Sequence, residues 1–208
     1  MRIKICGIMK LDQANEIIKS GATALGFICV EKSPRYVTPS QIELIIDGLT
    51  AAVDTIGVFA DADLAQIVEI VNQTNLTGVQ LHGTESPQFC QQLRTQLPPE
   101  VEIIKAFRIE NKASLKETAL YSQDVDTLLL DAYHPQMLGG TGKTLNWQDL
   151  EQFQPDLPWM LAGGLTPQNV REALNRLQPD GIDLSSGVER SPGDKDLVKV
   201  TQLFQSLN

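Results

Sequence analysis

Residues 3–30 read IKICGIMKLDQANEIIKSGATALGFICV. The run at 3–8 is apolar and short, the length of a strand. Leu11, Ala14, Ile17 and Ile18 then fall at i, i+3, i+6 and i+7, which is one face of a helix. Gly21 follows as a helix end, where glycine takes the left-handed conformation without a steric penalty. A second strand-length apolar run lies at 24–30. Strand, helix and strand in this order form a parallel unit, because the helix carries the chain back to the starting edge of the sheet.

The alternation continues outward. Further apolar runs lie at 53–59, 78–82, 101–107, 127–132, 159–165 and 181–188. Several are continuous rather than alternating, which suits strands covered on both faces. Between them, Leu64, Ile67, Val68 and Val71 form a helical stripe. Ser86 before Pro87 and Thr166 before Pro167 mark helix starts. Leu197, Val200, Leu203 and Phe204 form the last stripe. Segments 112–121 and 147–153 carry weaker helical patterns. Eight such units predict an α/β chain folded as a (β/α)₈ TIM barrel, in a single domain over residues 1–208. An open doubly wound sheet is the alternative. The count of eight, and the lack of GxGxxG after the first strand, favour the barrel.

Composition narrows the function classes. The chain has 208 residues, 42% hydrophobic and 21% charged, too apolar for a disordered protein. Its net charge of −9 argues against a nucleic-acid binder, which needs a basic face. An anionic small molecule needs only a local positive site. The three cysteines form neither a disulfide framework nor a metal-ligand pattern and fit a reducing, cytoplasmic location. No apolar run has the length of a membrane span. The first residues lack the apolar core and cleavage site of a secretion signal and are expected to enter the fold as its first strand. No membrane partner is expected, and the chain is expected to act as a monomer or homodimer.

In a parallel barrel, ligands bind at the C-terminal ends of the strands. Cys6 ends the first strand, and its sulfur is either a reactive thiol or a small buried hydrophobe. Cys29, within the second strand, and Cys90, on a helix face, read as packing. Asp131 closes the run TLLLD, where a carboxylate is costly to bury without a task or a partner. His82 ends the fourth strand, as a base or as a hydrogen-bonded strand end. Arg35 lies in the loop after the second strand, and its guanidinium fork suits a carboxylate or phosphate. Gly163 and Gly164 follow the seventh strand, and Ser185, Ser186 and Gly187 follow the eighth. Backbone that closely approaches a phosphate needs glycine, and these loops, with a short helix N-terminus, are the usual phosphate site of such barrels. GGTGK at 139–143 lacks the full nucleotide-binding frame, and its glycines suit a mobile lid over 139–142.

These residues together resemble one family. KICGI at 4–8, GATALGF at 21–27, KSPRYV at 32–37, GVQLHG at 78–83, LLLD at 128–131, GGTGKTLNW at 139–147, AGGLTPQNV at 162–170 and DLSSGVE at 183–189 are similar to the phosphoribosylanthranilate isomerases of tryptophan biosynthesis. The motifs lie in order along nearly the whole chain. The resemblance implies a (β/α)₈ barrel and an Amadori rearrangement without cofactor or metal. N-(5-phosphoribosyl)anthranilate becomes 1-(2-carboxyphenylamino)-1-deoxyribulose 5-phosphate. It implies Cys6 as general base, Asp131 as general acid, Arg35 on the anthranilate part, and Gly163, Gly164, Ser185, Ser186 and Gly187 on the phosphate. Met9 and Ala162 depart from the family pattern, which often has Thr and Ser there. The chemistry predicts a raised pKa for Asp131 and a lowered one for Cys6. The rivals are the related histidine-pathway isomerase, which has a carboxylate where this chain has Cys6, and a ribose-phosphate binding protein without turnover.

Overall fold

The computed structural model describes residues 1–132 and 147–207. Eight parallel strands close into a barrel in sequence order: β1 (Arg2–Cys6), β2 (Ala24–Ile28), β3 (Asp54–Phe59), β4 (Gly78–Leu81), β5 (Glu102–Ile109), β6 (Thr127–Ala132), β7 (Trp159–Leu161) and β8 (Gly181–Leu184). Closure joins the two ends of the chain. Strand β1 pairs with β8 in a register that sets Lys4 beside Asp183, while on its other side Cys6 lies beside Gly26 of β2. The open doubly wound sheet is thereby excluded.

The helices are α1 (Leu11–Ser20), α2 (Pro39–Asp47), α3 (Leu64–Thr74), α4 (Pro87–Gln96), α5 (Trp147–Leu150), α6 (Val170–Arg176) and α7 (Leu197–Leu207). The main core lies between this outer layer and the strands. Ala14 and Ile17 of α1 bury there, and Gly21 ends the helix at φ +116°, its N–H bonded to the carbonyls of Ile17 and Ile18. Ser86 caps α4 by accepting from Phe89 N. A second, smaller core fills the barrel interior with Ile56, Ile104, Ala106, Leu129, Met160 and Ala162. Among the described residues no helix is long and apolar enough to cross a membrane.

Several expectations change at the ends of elements. Strands β7 and β8 stop at Leu161 and Leu184, because the positive-φ glycines 163 and 164 and a 3-10 turn over Ser186–Val188 take the chain out of extended geometry. Segment Ser114–Tyr121 is a 3-10 helix, and α5 is one turn. Helix α6 begins at Val170 rather than at Pro167, since the Asn169 side chain accepts from Thr166 N at 2.8 Å and closes a separate turn. Helix α2, which has no apolar stripe as regular as its neighbours, is started by a capping box between Thr38 and Gln41 with Pro39 in the first turn. A short antiparallel hairpin follows the eighth strand, β9 (Glu189–Ser191) and β10 (Asp194–Lys195), turning through Gly193 at φ +81°.

Candidate active site

Alternate residues of each strand face the barrel interior, so each strand's last inward residue lines the mouth. There a cavity of about 350 Å³ is lined by Cys6, Arg35, Gln80, His82, Asp131, Gly163, Gly164, Asp183, Ser185, Ser186 and Gly187, among others. Every site residue expected from the sequence borders this one cavity. The proposed lid at 139–142 lies outside the described residues.

Cys6 and Asp131 are both buried, 6% and 5% exposed, so each meets the cavity with little water around it. Asp131 and His82 share one wall. His82 Nε2 stands 3.3 Å from Asp131 Oδ2, within ion-pair reach but not aligned as a hydrogen bond. The Gln80 amide nitrogen donates to His82 Nδ1 at 3.1 Å, which places the neutral imidazole's proton on Nε2, toward Asp131.

The wall around Cys6 is built from charges. Lys4, fully buried one inward position below Cys6, has its Nζ 3.0 Å from Asp183 Oδ1. Arg35 forks onto Glu189 through Nε and Nη2, the closest contact being 2.7 Å. That leaves the Nη1 edge of the guanidinium outside the fork. Lys195, also fully buried, bonds Glu189 Oε1 at 2.8 Å and the carbonyls of Cys6 and Ser185. Gly7 makes this packing possible. At φ +80°, a Cβ there would lie 2.8 Å from Arg35 Cδ and 3.2 Å from Ser185 Oγ.

The expectation of a lowered Cys6 pKa is corrected by this burial. Desolvation pushes the thiol up, and Asp183 adds to that, while Lys4 and Lys195 pull against it. Burial raises the other two thiols as well, Cys29 to about 12 and Cys90 to about 11. Burial also opposes the charge of Lys4, but Asp183 and Cys6 together hold its pKa above the ordinary lysine value. In Lys195 burial wins, and its amine sits below that value.

The loops after β7 and β8 lock together. A Cβ on Gly187 would lie 1.9 Å from the Leu165 carbonyl oxygen, and Asn169 Nδ2 donates to Gly164 O at 2.9 Å. Gly163 and Gly164 take φ +81° and +65°. These glycines are demanded by the backbone itself, whatever the loops bind.

A family model for N-(5'phosphoribosyl)anthranilate (PRA) isomerase matches residues 3–206. The chain belongs to the N-(5'-phosphoribosyl)anthranilate isomerase family. Members from Rippkaea orientalis and Nostoc punctiforme are 63% and 61% identical, with all of this chain covered and 96% and 98% of theirs. The solved phosphoribosylanthranilate isomerase of Thermotoga maritima superposes with a TM-score of 0.90 at 33% identity, covering 99% of this chain and 98% of its own. Another, in complex with reduced 1-(o-carboxyphenylamino)-1-deoxyribulose 5-phosphate, gives 0.85 at 30% identity, covering 99% and 97%. As a family member the chain is an isomerase of tryptophan biosynthesis. Within this isomerase, Lys4, Gln80, Asp183, Glu189 and Lys195 are the residues that candidate selection by sequence passed over. Lys4, Gln80, Asp183 and Glu189 lie inside the quoted motifs. Lys195 is brought in only by the hairpin, whose Ser-Pro-Gly-Asp turn at 191–194 is its local signal.

Proposed function

We propose that this isomerase rearranges N-(5-phosphoribosyl)anthranilate to 1-(2-carboxyphenylamino)-1-deoxyribulose 5-phosphate with Asp131 as general acid and Cys6 as general base. The observation that carries the reading is the single cavity that Cys6, Asp131, Arg35 and the two glycine loops share at the C-terminal mouth of the barrel. A family structure holding a reduced form of that product supports the same substrate class.

Asp131 gives its proton to the furanose ring oxygen. The C1–O bond breaks as the nitrogen lone pair forms a C=N bond, giving a cationic Schiff base. The Cys6 thiolate removes the C2 proton, and the released electron pair forms C1=C2 while the C=N π electrons return to nitrogen. The resulting enolamine tautomerises to the ketone. Acid and base must reach the sugar from different sides, and strand ends β1 and β6 lie well apart around the barrel. Backbone of Gly163, Gly164, Ser185, Ser186 and Gly187 receives the phosphate, and the free edge of Arg35 receives the anthranilate carboxylate. His82, on the same cavity wall as Asp131, contacts the bound substrate. The reaction as drawn needs no cofactor or metal.

The test is turnover of N-(5-phosphoribosyl)anthranilate by purified protein and two variants. Asp131→Asn should lower kcat by about 10²–10⁴-fold with product affinity retained. Cys6→Ser, nearly isosteric but a far weaker base, should lower kcat without loss of stability. Parental turnover in either variant removes that residue from its role. Binding without turnover in the unmodified protein would instead make it a ribose-phosphate binder. Substrate lacking the phosphate should show a strongly raised KM, and an unchanged KM would place the phosphate elsewhere.

A further inference from the structure

Lys4 is a buried cation that the chemistry above does not use. It is wholly inaccessible, so it touches no substrate. The same barrel interior is otherwise filled by an apolar cluster that includes Ile56, Ile104, Leu129 and Met160. An ammonium in such a layer is expensive to desolvate, and an apolar side chain would fill the space at less cost. Packing therefore gives no reason for a lysine here.

Its position gives one. Lys4 and Cys6 are successive inward residues of β1, and both reach toward the gap left by Gly26 on β2. A Cβ at Gly26 would lie 2.6 Å from Cys6 Sγ and 3.0 Å from Lys4 Nζ, so sulfur and ammonium converge on one point. From the other side, Asp183 of β8 holds Nζ at 3.0 Å. A lysine ammonium carries three donors, and Asp183 Oδ1 takes one of them. The thiolate is placed to take another.

We infer that Lys4 is a positioning residue for the isomerisation: its ammonium, anchored by Asp183, stabilises the thiolate of Cys6 from beneath. The inference rests on Cys6 being the base. The other charged and titratable groups facing Cys6 are Lys195 and Arg35, both tied to Glu189, together with Cys29 on the β2 side and Asp131 and His82 across the cavity. Lys195 is already committed to Glu189 and two carbonyls, including that of Cys6 itself. Lys4 shares its charge between one carboxylate and the sulfur. Asp183 therefore has a double effect. It keeps Lys4 protonated, and it competes with the thiolate for the same ammonium.

Loss of the Lys4 charge gives a signature that a merely structural ion pair lacks. The rate at which iodoacetamide alkylates Cys6 is followed against pH by peptide mapping, in the parent, Lys4→Met and Asp183→Asn. Cys29 and Cys90, with thiols at about 12 and 11, alkylate slowly and serve as internal references. Lys4→Met should move the Cys6 profile to higher pH by about 1–3 pH units, the range for losing a close opposite charge. The basic limb of kcat/KM should move with it, with kcat at neutral pH reduced. Asp183→Asn should move the alkylation profile the opposite way, to lower pH. A Lys4→Met profile that superposes on the parent overturns the inference. If Lys4→Met does not fold, Lys4→Gln, which keeps a donor for Asp183 but no charge, decides in its place: an upward move of the Cys6 profile supports the role, and an unchanged one overturns it. Failure of the underlying reading looks different, since Cys6→Ser would then keep parental turnover, and the role of Lys4 falls with it.

Discussion

Glu189 is the residue on which the Arg35 side of the cavity rests. Its buried carboxylate lies between the Arg35 fork and the Lys195 ammonium, and it also accepts from Gly193 N at 3.1 Å. Burial alone would raise its pKa, but Arg35 and Lys195 hold the carboxyl below the usual range. A carboxyl depressed in the folded state adds stability above the ordinary carboxylate pKa and loses it as pH falls through the folded value. Glu189→Gln should therefore be destabilised at neutral pH, by about 3–5 kcal/mol for two buried cations left short of a partner. The gap to the parent should close on acidification, as urea unfolding midpoints measured down through the carboxylate range will show. A constant gap would mean that the charge is not what stabilises. The same variant should raise KM, since the Arg35 guanidinium loses its anchor. At this scale the sequence was informative about reactive groups and nearly silent about their supports. Cys6, Asp131 and Arg35 stand out because their chemistry is unusual where they sit. Glu189 and Lys195 were not singled out, because only the folded hairpin turns their charges inward.

Elements show a similar division. The period of Ala14 and Ile17 predicts α1, and the Ser86 cap predicts α4. Helix α2 was not among the helices read from the sequence; its one local signal is the start, Thr38-Pro39-Ser40-Gln41, which folds as a capping box. The ends of β7 and β8 were misplaced because a continuous apolar run does not reveal where the backbone leaves extended geometry. The contact of Gly187 with the Leu165 carbonyl is the sharpest case. Gly187→Ala should force these loops apart, lowering stability by about 1–3 kcal/mol and raising KM together. Thermal unfolding and steady-state kinetics on the one variant measure both. A raised KM with full stability would mean that the glycine serves the ligand alone.

On the scale of the whole molecule, the barrel separates stability from chemistry by its two ends. Arg2, at the bottom of β1, bonds Glu102 of β5 at 2.6 and 2.8 Å and Asp54 of β3 at 2.9 Å, and Thr127 of β6 donates to Glu102 at 2.6 Å. This clasp ties four strands at the end opposite the cavity. Arg2→Ala should lower stability by about 1–3 kcal/mol, the range discounted because Asp54 is half exposed, and leave kcat unchanged. Chemical denaturation paired with turnover tests it, and a fall in kcat would mean that the two ends are coupled. The order of strands and helices, the family and the list of reactive side chains were determined by the sequence alone, since periodicity, caps and motif spacing are local properties of a chain. Only the tertiary structure decided which charges meet. Lys4 and Asp183 lie at opposite ends of the sequence and become register neighbours when β1 closes on β8. Arg35 likewise finds Glu189 only once the barrel is shut. Such pairings depend on closure and on register, and burial then turns ordinary charges into the groups that set the ionisation of Cys6.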